Sequence, residues 1–385
     1  MNDERAGCPS VYAFVLTADN FPLSAGDTVL YLSKHDALEV GGQRPDLVEV
    51  AGQLNPFACG EWVQHFLGEV AEEDWTIVIP EHRTDGESLM LLYRAPQSAP
   101  QCSGLSNYYA SLYSPLISTA TDRSAAMSAL VEQLKEMRPR CAAINFQPLD
   151  QDSPDTQALS QALARNGWFV RPYFCFGNWY LPCAGLSFSD YMSSRSSQIY
   201  STWTRKSKKF SRSPETRLEI VTAPAAADAA VDAFEKVYAK SWKQAEPYPN
   251  FVRGWARICA QKGWLRLGIA WAGEVPIAAQ FWFTMHGRAY IFKLAYDEAY
   301  SSWSAGTVLA AAMFEYSLDR DRVVEIDYLT GDDAYKRSWM TQRRERVGLI
   351  ACNLGTPRGL LIAAREWAGE LRSNWRSRRS APPAP

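Results

Sequence analysis

The sequence predicts an α/β protein, a mixed sheet flanked by helices and divided between two domains. Three observations lead there. Short alternating apolar runs are interleaved with segments of helical periodicity along most of the chain. Three consecutive strand-like runs, Trp264–Trp271, Ile277–Thr284 and Ala289–Tyr296, are joined by the turns Ala272-Gly273-Glu274 and His286-Gly287-Arg288, the pattern of an antiparallel meander. A helix and a further strand follow, and that strand–helix–strand step from Ala289 to Leu329 makes one parallel pair. At such a step, strand carboxyl ends and a helix N-terminus converge on a natural ligand crevice. With 385 residues, at roughly 100–200 per domain, two cores are expected.

Composition narrows the function classes. A hydrophobic fraction of 47% with 21% charged residues excludes a mostly disordered chain. The near balance of 40 Lys+Arg against 42 Asp+Glu argues against a dedicated binder of duplex nucleic acid. Eight scattered cysteines, with no C-x-x-C pair and no nearby His at ligand spacing, do not suggest a metal site or a disulfide framework, and reduced thiols fit a cytoplasmic protein. The start carries Asp3, Glu4 and Arg5 before the short apolar run Val11–Ala18, which does not read as a secretory signal. No stretch approaches the roughly 18–20 apolar residues that cross a bilayer. The 14 Trp, 18 Tyr and 16 Phe suit deep pockets as well as cores.

In the first half, Trp75–Pro80 and Ser88–Arg94 read as strands joined by the polar turn Glu81–Glu87. Leu105–Ile117, with Asn107, Tyr108, Tyr109 and Tyr113, reads as a loop with aromatic anchors. Ser124–Met137 has helical spacing, Ala142–Phe146 is a strand, Asp155–Arg165 a helix stopped by Gly167, and Trp168–Leu181 a strand or hairpin. A connector from about Asp190 to Pro214 holds Arg195, Arg205, Lys206, Lys208, Lys209 and Arg212 without an acidic residue between Asp190 and Glu215. It reads as a solvated or phosphate-facing helix, with Trp203 and Phe210 on its inner side.

The second half is clearer. Arg217–Thr222 is a strand, and Ala225–Trp242 and Phe251–Gln261 are helices. The meander follows, then the loop Asp297–Trp303, helix Ser304–Leu318, strand Val323–Leu329, the polar segment Thr330–Trp339 and a final strand Arg346–Asn353.

From Ala230 to Cys352 the chain resembles the GNAT acyltransferase superfamily, in particular its CelD-like branch, and is more distantly similar to the Fem aminoacyltransferases. The likeness is carried by Phe292-Lys293-Leu294-Ala295-Tyr296-Asp297, Ser304-Ala305-Gly306-Thr307-Val308-Leu309, Ile326-Asp327-Tyr328-Leu329-Thr330-Gly331-Asp332, and Ala334-Tyr335-Lys336 with Trp339. It implies two tandem GNAT-like domains: a degenerate copy over 1–185, a basic connector helix over 186–216, and an acyltransferase domain over 217–355. The superfamily's glycine-rich pyrophosphate loop is absent, and Ser304-Ala305-Gly306 stands where the branch often has Ser-Pro-Gly. Acyl-CoA is the donor that the resemblance implies. An acyl-carrier protein or a charged tRNA stays open as donor carrier.

Candidate site residues follow from the chemistry of moving an acyl group from a thioester to an amine. The helix start at Ser304, Ala305, Gly306 and Thr307, with Tyr296 before it, offers N–H groups and a positive dipole end to a pyrophosphate; an ordinary Ser N-cap would look the same. Alternation puts Glu325 and Asp327 on one strand face, where paired carboxylates raise one pKa, so Asp327 is expected as base or amine anchor. The structural alternative is an ion pair of Asp327 with Lys293 or Lys336. Lys336 and Tyr335 are candidates to hold a carbonyl oxygen and to protonate a thiolate. Gln280, Trp282, Lys293, Asp332 and Trp339 are expected to line the acceptor pocket. His286 reads as exposed and structural. Hydrolase, NTPase, dinucleotide and zinc-protease signatures are missing.

Residues 356–385 form a tail: a helix with Leu360, Ala364, Trp367, Leu371 and Trp375 on one face, six arginines against two glutamates, then a disordered end at Ala381–Pro385. Such a face either docks on the protein or lies on an anionic membrane. The expected protein is thus a cytoplasmic N-acyltransferase that needs no metal, with the inner membrane face as a contact through its tail. Its acceptor is an amine, with a long-chain, sphingoid-type lipid amine suggested. The alternatives are a non-catalytic scaffold of envelope or polysaccharide assembly and a Fem-like transferase using charged tRNA.

Overall fold

The computed structural model describes residues 29–40, 52–82, 88–118 and 122–380. Cys8, the run Val11–Ala18 and the tail end Ala381–Pro385 lie outside the described residues. The first half contributes β1 (Val29–Leu32), β2 (Thr76–His82), β3 (Ser88–Leu89), β4 (Leu92–Arg94), β5 (Gln101–Gly104), β6 (Leu116–Ile117), β7 (Ala143–Asp150) and β8 (Trp168–Pro182). The second contributes β9 (Thr216–Val221), β10 (Leu265–Ala272), β11 (Val275–Met285), β12 (Arg288–Tyr296), β13 (Glu325–Asp327) and β14 (Gln342–Asn353). They form one sheet in the order β6-β3-β2-β4-β5-β7-β14-β8-β13-β12-β11-β10-β9, with β1 paired to β2.

The meander folds as its turns require, with Gly273 and Gly287 at positive φ in the tight connections. His286 is exposed in the second turn. β12 and β13 pair in parallel through Arg288↔Glu325, Ala289↔Ile326 and Tyr290↔Asp327. The sheet also crosses the expected divisions at 185 and 216. β14 inserts between β7 and β8, and β8 pairs with β13 on its other edge, so the first half supplies a strand to the middle of the second. The β8–β14 ladder runs from Gln342↔Tyr180 to Asn353↔Trp168. Ladders of that length fix register firmly, because a one-residue slip would turn every side chain to the other face.

Helices cover both faces. Pro224–Ala239 and Phe251–Gln261 bury Val231, Phe234, Phe251 and Trp255 against Phe281 and Phe283. On the opposite face Ala305–Glu315 buries Leu309, Met313 and Phe314 against Trp282. The basic connector folds as Phe188–Ser193 and Ser197–Arg212, with Phe210 buried and Trp203 half-buried. Lys206 Nζ donates to the Ser302 carbonyl at 3.0 Å, and Lys209 lies over the Trp303 ring, so this helix braces the loop before Ala305–Glu315.

Several elements differ from expectation. β13 is shorter than Val323–Leu329, Thr330–Trp339 contains the short helix Ala334–Trp339, and β14 begins at Gln342 rather than Arg346. In the tail helix, Pro357–Ser380, the docked stripe is Ala363 and Ile362, pinned by an Arg171–Glu366 ion pair. Leu360, Ala364 and Trp367 of the expected apolar face are exposed, and the side chains beyond residue 370 are outside the description. The described cysteines are free and, Cys175 apart, buried. No described helix is long and apolar enough to cross a membrane.

One glycine shows how tightly β14 is held. Tyr173 on β8 lies across Gly348, its cross-strand partner, to donate toward Asn145 at 2.7 Å and Gln147 at 2.8 Å on β7. A Cβ at 348 would stand 2.1 Å from the tyrosine ring. We expect Gly348→Ala to lower stability by about 1–3 kcal/mol through overpacking, read as a lower urea midpoint with an unchanged slope.

Candidate active site

The site begins where β12 and β13 part. Their ladder lasts three residues, after which β12 continues to Tyr296 paired only with β11 while the other chain turns away. Asp327 makes that turn. Its Oδ1 accepts the Leu329 N–H at 2.6 Å, and Leu329 takes a positive φ of 55°. Asn178, fully buried on β8, donates to Asp327 Oδ1 at 2.6 Å and to the Leu329 carbonyl at 2.8 Å. Arg344 on β14 reaches Asp327 Oδ2 at 2.5 Å, Glu325 at 3.0 Å and Asn178 Oδ1 at 2.6 Å.

This arrangement corrects the expected role of Asp327. The residue is 3% exposed and does not line the cavity, and both of its oxygens are occupied by donors. Glu325 is held by the same arginine. The partner of these carboxylates is Arg344, not Lys293 or Lys336. Alternation places both carboxylates on one face, as expected, but there Asn178 and Arg344, from the neighbouring strands β8 and β14, occupy them rather than a ligand.

The gap opens into a cavity of about 860 Å³. Its walls are the free part of β12 from Ile291 to Tyr296, the segment Tyr328–Thr330 after β13, and the helix start at Ser304–Thr307. Ser304 sits at φ 52° and makes no side-chain cap, so the expected Ser cap is not formed. The N–H groups of Ala305 and Gly306 have no acceptor within the helix, as in any first turn. A Cβ on Gly306 would meet Tyr296 at an ordinary 3.6 Å. Gln280 braces this turn by donating to the Gly306 carbonyl at 3.1 Å while accepting the Trp282 indole N–H at 3.0 Å.

Of the other candidates, Lys293, Tyr335 and Lys336 line the cavity. Trp282 and Trp339 do not; both are buried around Phe314 as core. Asp332 faces the surface instead, accepting from Arg343 at 2.7 Å and the Trp179 indole at 2.7 Å. Lys336 Nζ donates to the Thr330 carbonyl and stands 3.8 Å from Asp333; burial pulls it below the usual lysine range, and Asp333 opposes this. Burial pushes the Tyr335 hydroxyl up to about 12.

Sequence reading missed a cluster on the β12 wall. Glu246 pairs with Lys293 at 2.6 Å and accepts from Tyr109 at 2.8 Å, Tyr108 at 3.0 Å and Tyr238 at 2.6 Å. Tyr108 and Tyr109 come from the first-half loop and also line the cavity, so the first half completes the site. Lys243 and Trp242 line it too. Glu246 and Lys243 lie between two helices in a segment without periodicity, where only their charge marked them. Burial pulls Lys243 and Lys293 down as well. Among the described residues, no three His, Cys, Asp or Glu side chains gather as a metal requires.

Comparison with known proteins bears on this parallel pair, which splays onto a helix N-terminus. Residues 197–337 match the family described as Acetyltransferase (GNAT) domain. No curated protein matches the chain. Among solved structures, FemX is 11% identical with a TM-score of 0.57, over 88% of this chain and 100% of its own. The C-terminal domain of a putative lysylphosphatidylglycerol synthetase from Agrobacterium fabrum is 10% identical with a TM-score of 0.51, over 86% and 97%. L-PGS from Bacillus licheniformis is 10% identical with a TM-score of 0.50, over 83% and 95%. At such identities these likenesses establish the fold. By that family match residues 197–337 are a GNAT acetyltransferase domain, and the fold of the chain is similar to that of FemX.

The Asp327 network yields a stability prediction. Asp327→Asn leaves Arg344 partly uncompensated in a buried site and replaces an acceptor of the Asn178 amide. Unfolding in urea is expected to show a loss of about 3 kcal/mol. An unchanged midpoint would mean that the carboxylate does not hold the turn.

Proposed function

We propose that the chain transfers an acyl group from an acyl thioester, in the first instance acyl-CoA, to an amine held in the cavity between β12 and β13. The observation that carries this reading is that the helix start at Ser304–Thr307 and the partly buried ammonium of Lys336 open onto the same cavity. The helix start suits the donor's phosphates, through the free N–H groups of Ala305 and Gly306 and the brace from Lys206 behind the loop.

In the reaction the amine nitrogen bonds to the carbonyl carbon, the carbon–sulfur bond breaks, and the proton lost from nitrogen ends on the departing sulfur. Lys336 is the group we assign to the carbonyl oxygen as its charge develops. Tyr335 supports the leaving sulfur by hydrogen bond. At about 12 it lies above the roughly 8.5 of a thiol, so outright donation of its proton would run uphill. The lysines on the walls favour the neutral amine, which is the nucleophilic form.

For the acceptor, aromatic walls and the exposed Leu360, Leu361 and Trp367 beside Arg358 and Arg365 support a long-chain amine reached at a membrane surface. A second reading, aminoacyl transfer from charged tRNA, is supported by the basic helix Ser197–Arg212 beside the helix start. It requires RNA binding that weakens steeply with salt.

Mass spectrometry of reactions between acyl-CoAs and amines tests the main reading through the appearance of N-acyl product. Gly306→Trp is expected to weaken CoA binding at least about tenfold, by filling the space beside Tyr296. Lys336→Met is expected to lower kcat by about 10²–10³. Lys336 is drawn down by burial and by Lys243, against Asp333 and the more distant Asp327 and Asp332. The active form is the charged one, so activity falls as pH rises through this lowered value. The alkaline limb therefore lies below the ordinary lysine range, and Lys336→Arg should move it upward. A profile identical in wild type and Lys336→Arg would remove Lys336 from the chemistry.

A further inference from the structure

The cavity carries more positive charge than the reaction as described uses. Lys293 is neutralised by Glu246 at 2.6 Å, and Lys336 has Asp333 at 3.8 Å. Lys243 lines the same cavity with no carboxylate of the described residues within ion-pair reach; Glu246 acts on it only from a distance, as does Asp333. Lys243 also disfavours the charged forms of both other lysines. Three ammonium groups around one partly enclosed space repel one another, and an anion among them relieves that repulsion.

A second, independent observation points to the same occupant. Tyr328 is 2% exposed and lines the cavity, and its hydroxyl makes no well-formed hydrogen bond in the protein, the Tyr335 side chain on the same wall being the polar neighbour beside it. Buried hydroxyls almost always have partners, and leaving one unmade is unfavourable. Its ring lies 5.3 Å from Lys336 Nζ, on the β13 side of the cavity. The helix start that suits the donor's phosphates follows β12 instead.

We propose that Lys243 and the Tyr328 hydroxyl form a subsite for an anionic oxygen group, carboxylate or phosphate, carried by the amine acceptor. The inference rests on the acyl-transfer reading and narrows it. The acceptor is then an amino acid or a phosphorylated amine, free or as a lipid headgroup, rather than a plain long-chain base. The ammonium of Lys243 meets the anion, and the Tyr328 hydroxyl donates to it.

Matched probes test this on the full chain by calorimetry: phosphoethanolamine against ethanolamine, and glycine against methylamine, each with and without saturating CoA. At least one anionic member should bind about tenfold or more tightly than its partner, as charge-assisted hydrogen bonds warrant. Lys243→Met should bring that ratio close to one while leaving the CoA dissociation constant within about twofold. Tyr328→Phe should reduce the ratio several-fold, and Lys243→Arg should retain most of it. Equal binding within both pairs by the wild-type chain overturns the proposal, whatever the variants do. So does a Lys243→Met chain that loses CoA affinity but keeps the preference, since the lysine would then serve the donor's phosphates. Failure of CoA to bind would defeat the donor reading alone, because the comparison without CoA still decides the subsite. Vesicles of phosphatidylethanolamine against free phosphoethanolamine separate a headgroup from a soluble source.

Discussion

Arg344 is the residue on which the site's geometry turns. It places one guanidinium against Asp327, Glu325 and the side-chain oxygen of Asn178, joining β14, β13 and β8 at the point where the parallel ladder ends. Two carboxylates on one face of a short internal strand would be untenable alone. Held this way they become a fixed corner. Asp327 then has an oxygen to spare for the Leu329 N–H, and Asn178 takes the Leu329 carbonyl, so the chain leaves the sheet at a defined angle. The wedge between β12 and the departing segment is the cavity. Its shape is thus set by groups that never face it.

Two of those groups come from outside the strand–helix–strand unit that forms the crevice. Asn178 belongs to the first half, and Arg344 to a strand lying between two first-half strands. The first half also lends Tyr108 and Tyr109, which share Glu246 with Lys293 on the β12 wall. Its contribution is therefore structural at the corner and direct at the wall. The charge pattern follows from the same division. Glu246 and Asp327 stand behind the walls, while Lys243, Lys293 and Lys336 stand within them against the one lining carboxylate among the described residues, Asp333, leaving an interior suited to anions and neutral amines.

The legible parts of the sequence were those written in local chemistry. The meander could be read because glycine turns separate alternating runs, and Phe251–Gln261 because its apolar stripe is regular and Gly263 follows it. The helix start at Ser304–Thr307 was legible for the same reason. Asp327 was misread because alternation tells which face a side chain takes but not what lies across from it. Its partner Arg344 is seventeen residues away, and Asn178 is 149 away. The early elements β1, Gly60–Glu69 and β5 carry weak periodicity and short runs, and their burial depends on neighbours distant in sequence. Lys243 and Glu246 gave no signal beyond charge, since a loop has no period to interrupt.

The absent glycine-rich loop has a structural counterpart. In a loop that approaches a pyrophosphate, glycines let the backbone turn through left-handed conformations and present N–H groups. Here Ser304 takes the left-handed conformation itself, at an expense of roughly 1 kcal/mol or more for a side chain that is not glycine. Such a conformation persists only where its surroundings hold it. Lys206 fixes Ser302 from one side, Lys209 covers Trp303, and Gln280 grips the Gly306 carbonyl from the sheet. The turn is thus held by contacts on both flanks rather than relaxed by glycine. The basic helix that braces it brings its own positive charge close to the helix dipole. A loop with fewer glycines can therefore still present an anion-ready helix start, provided the connector helix stays docked.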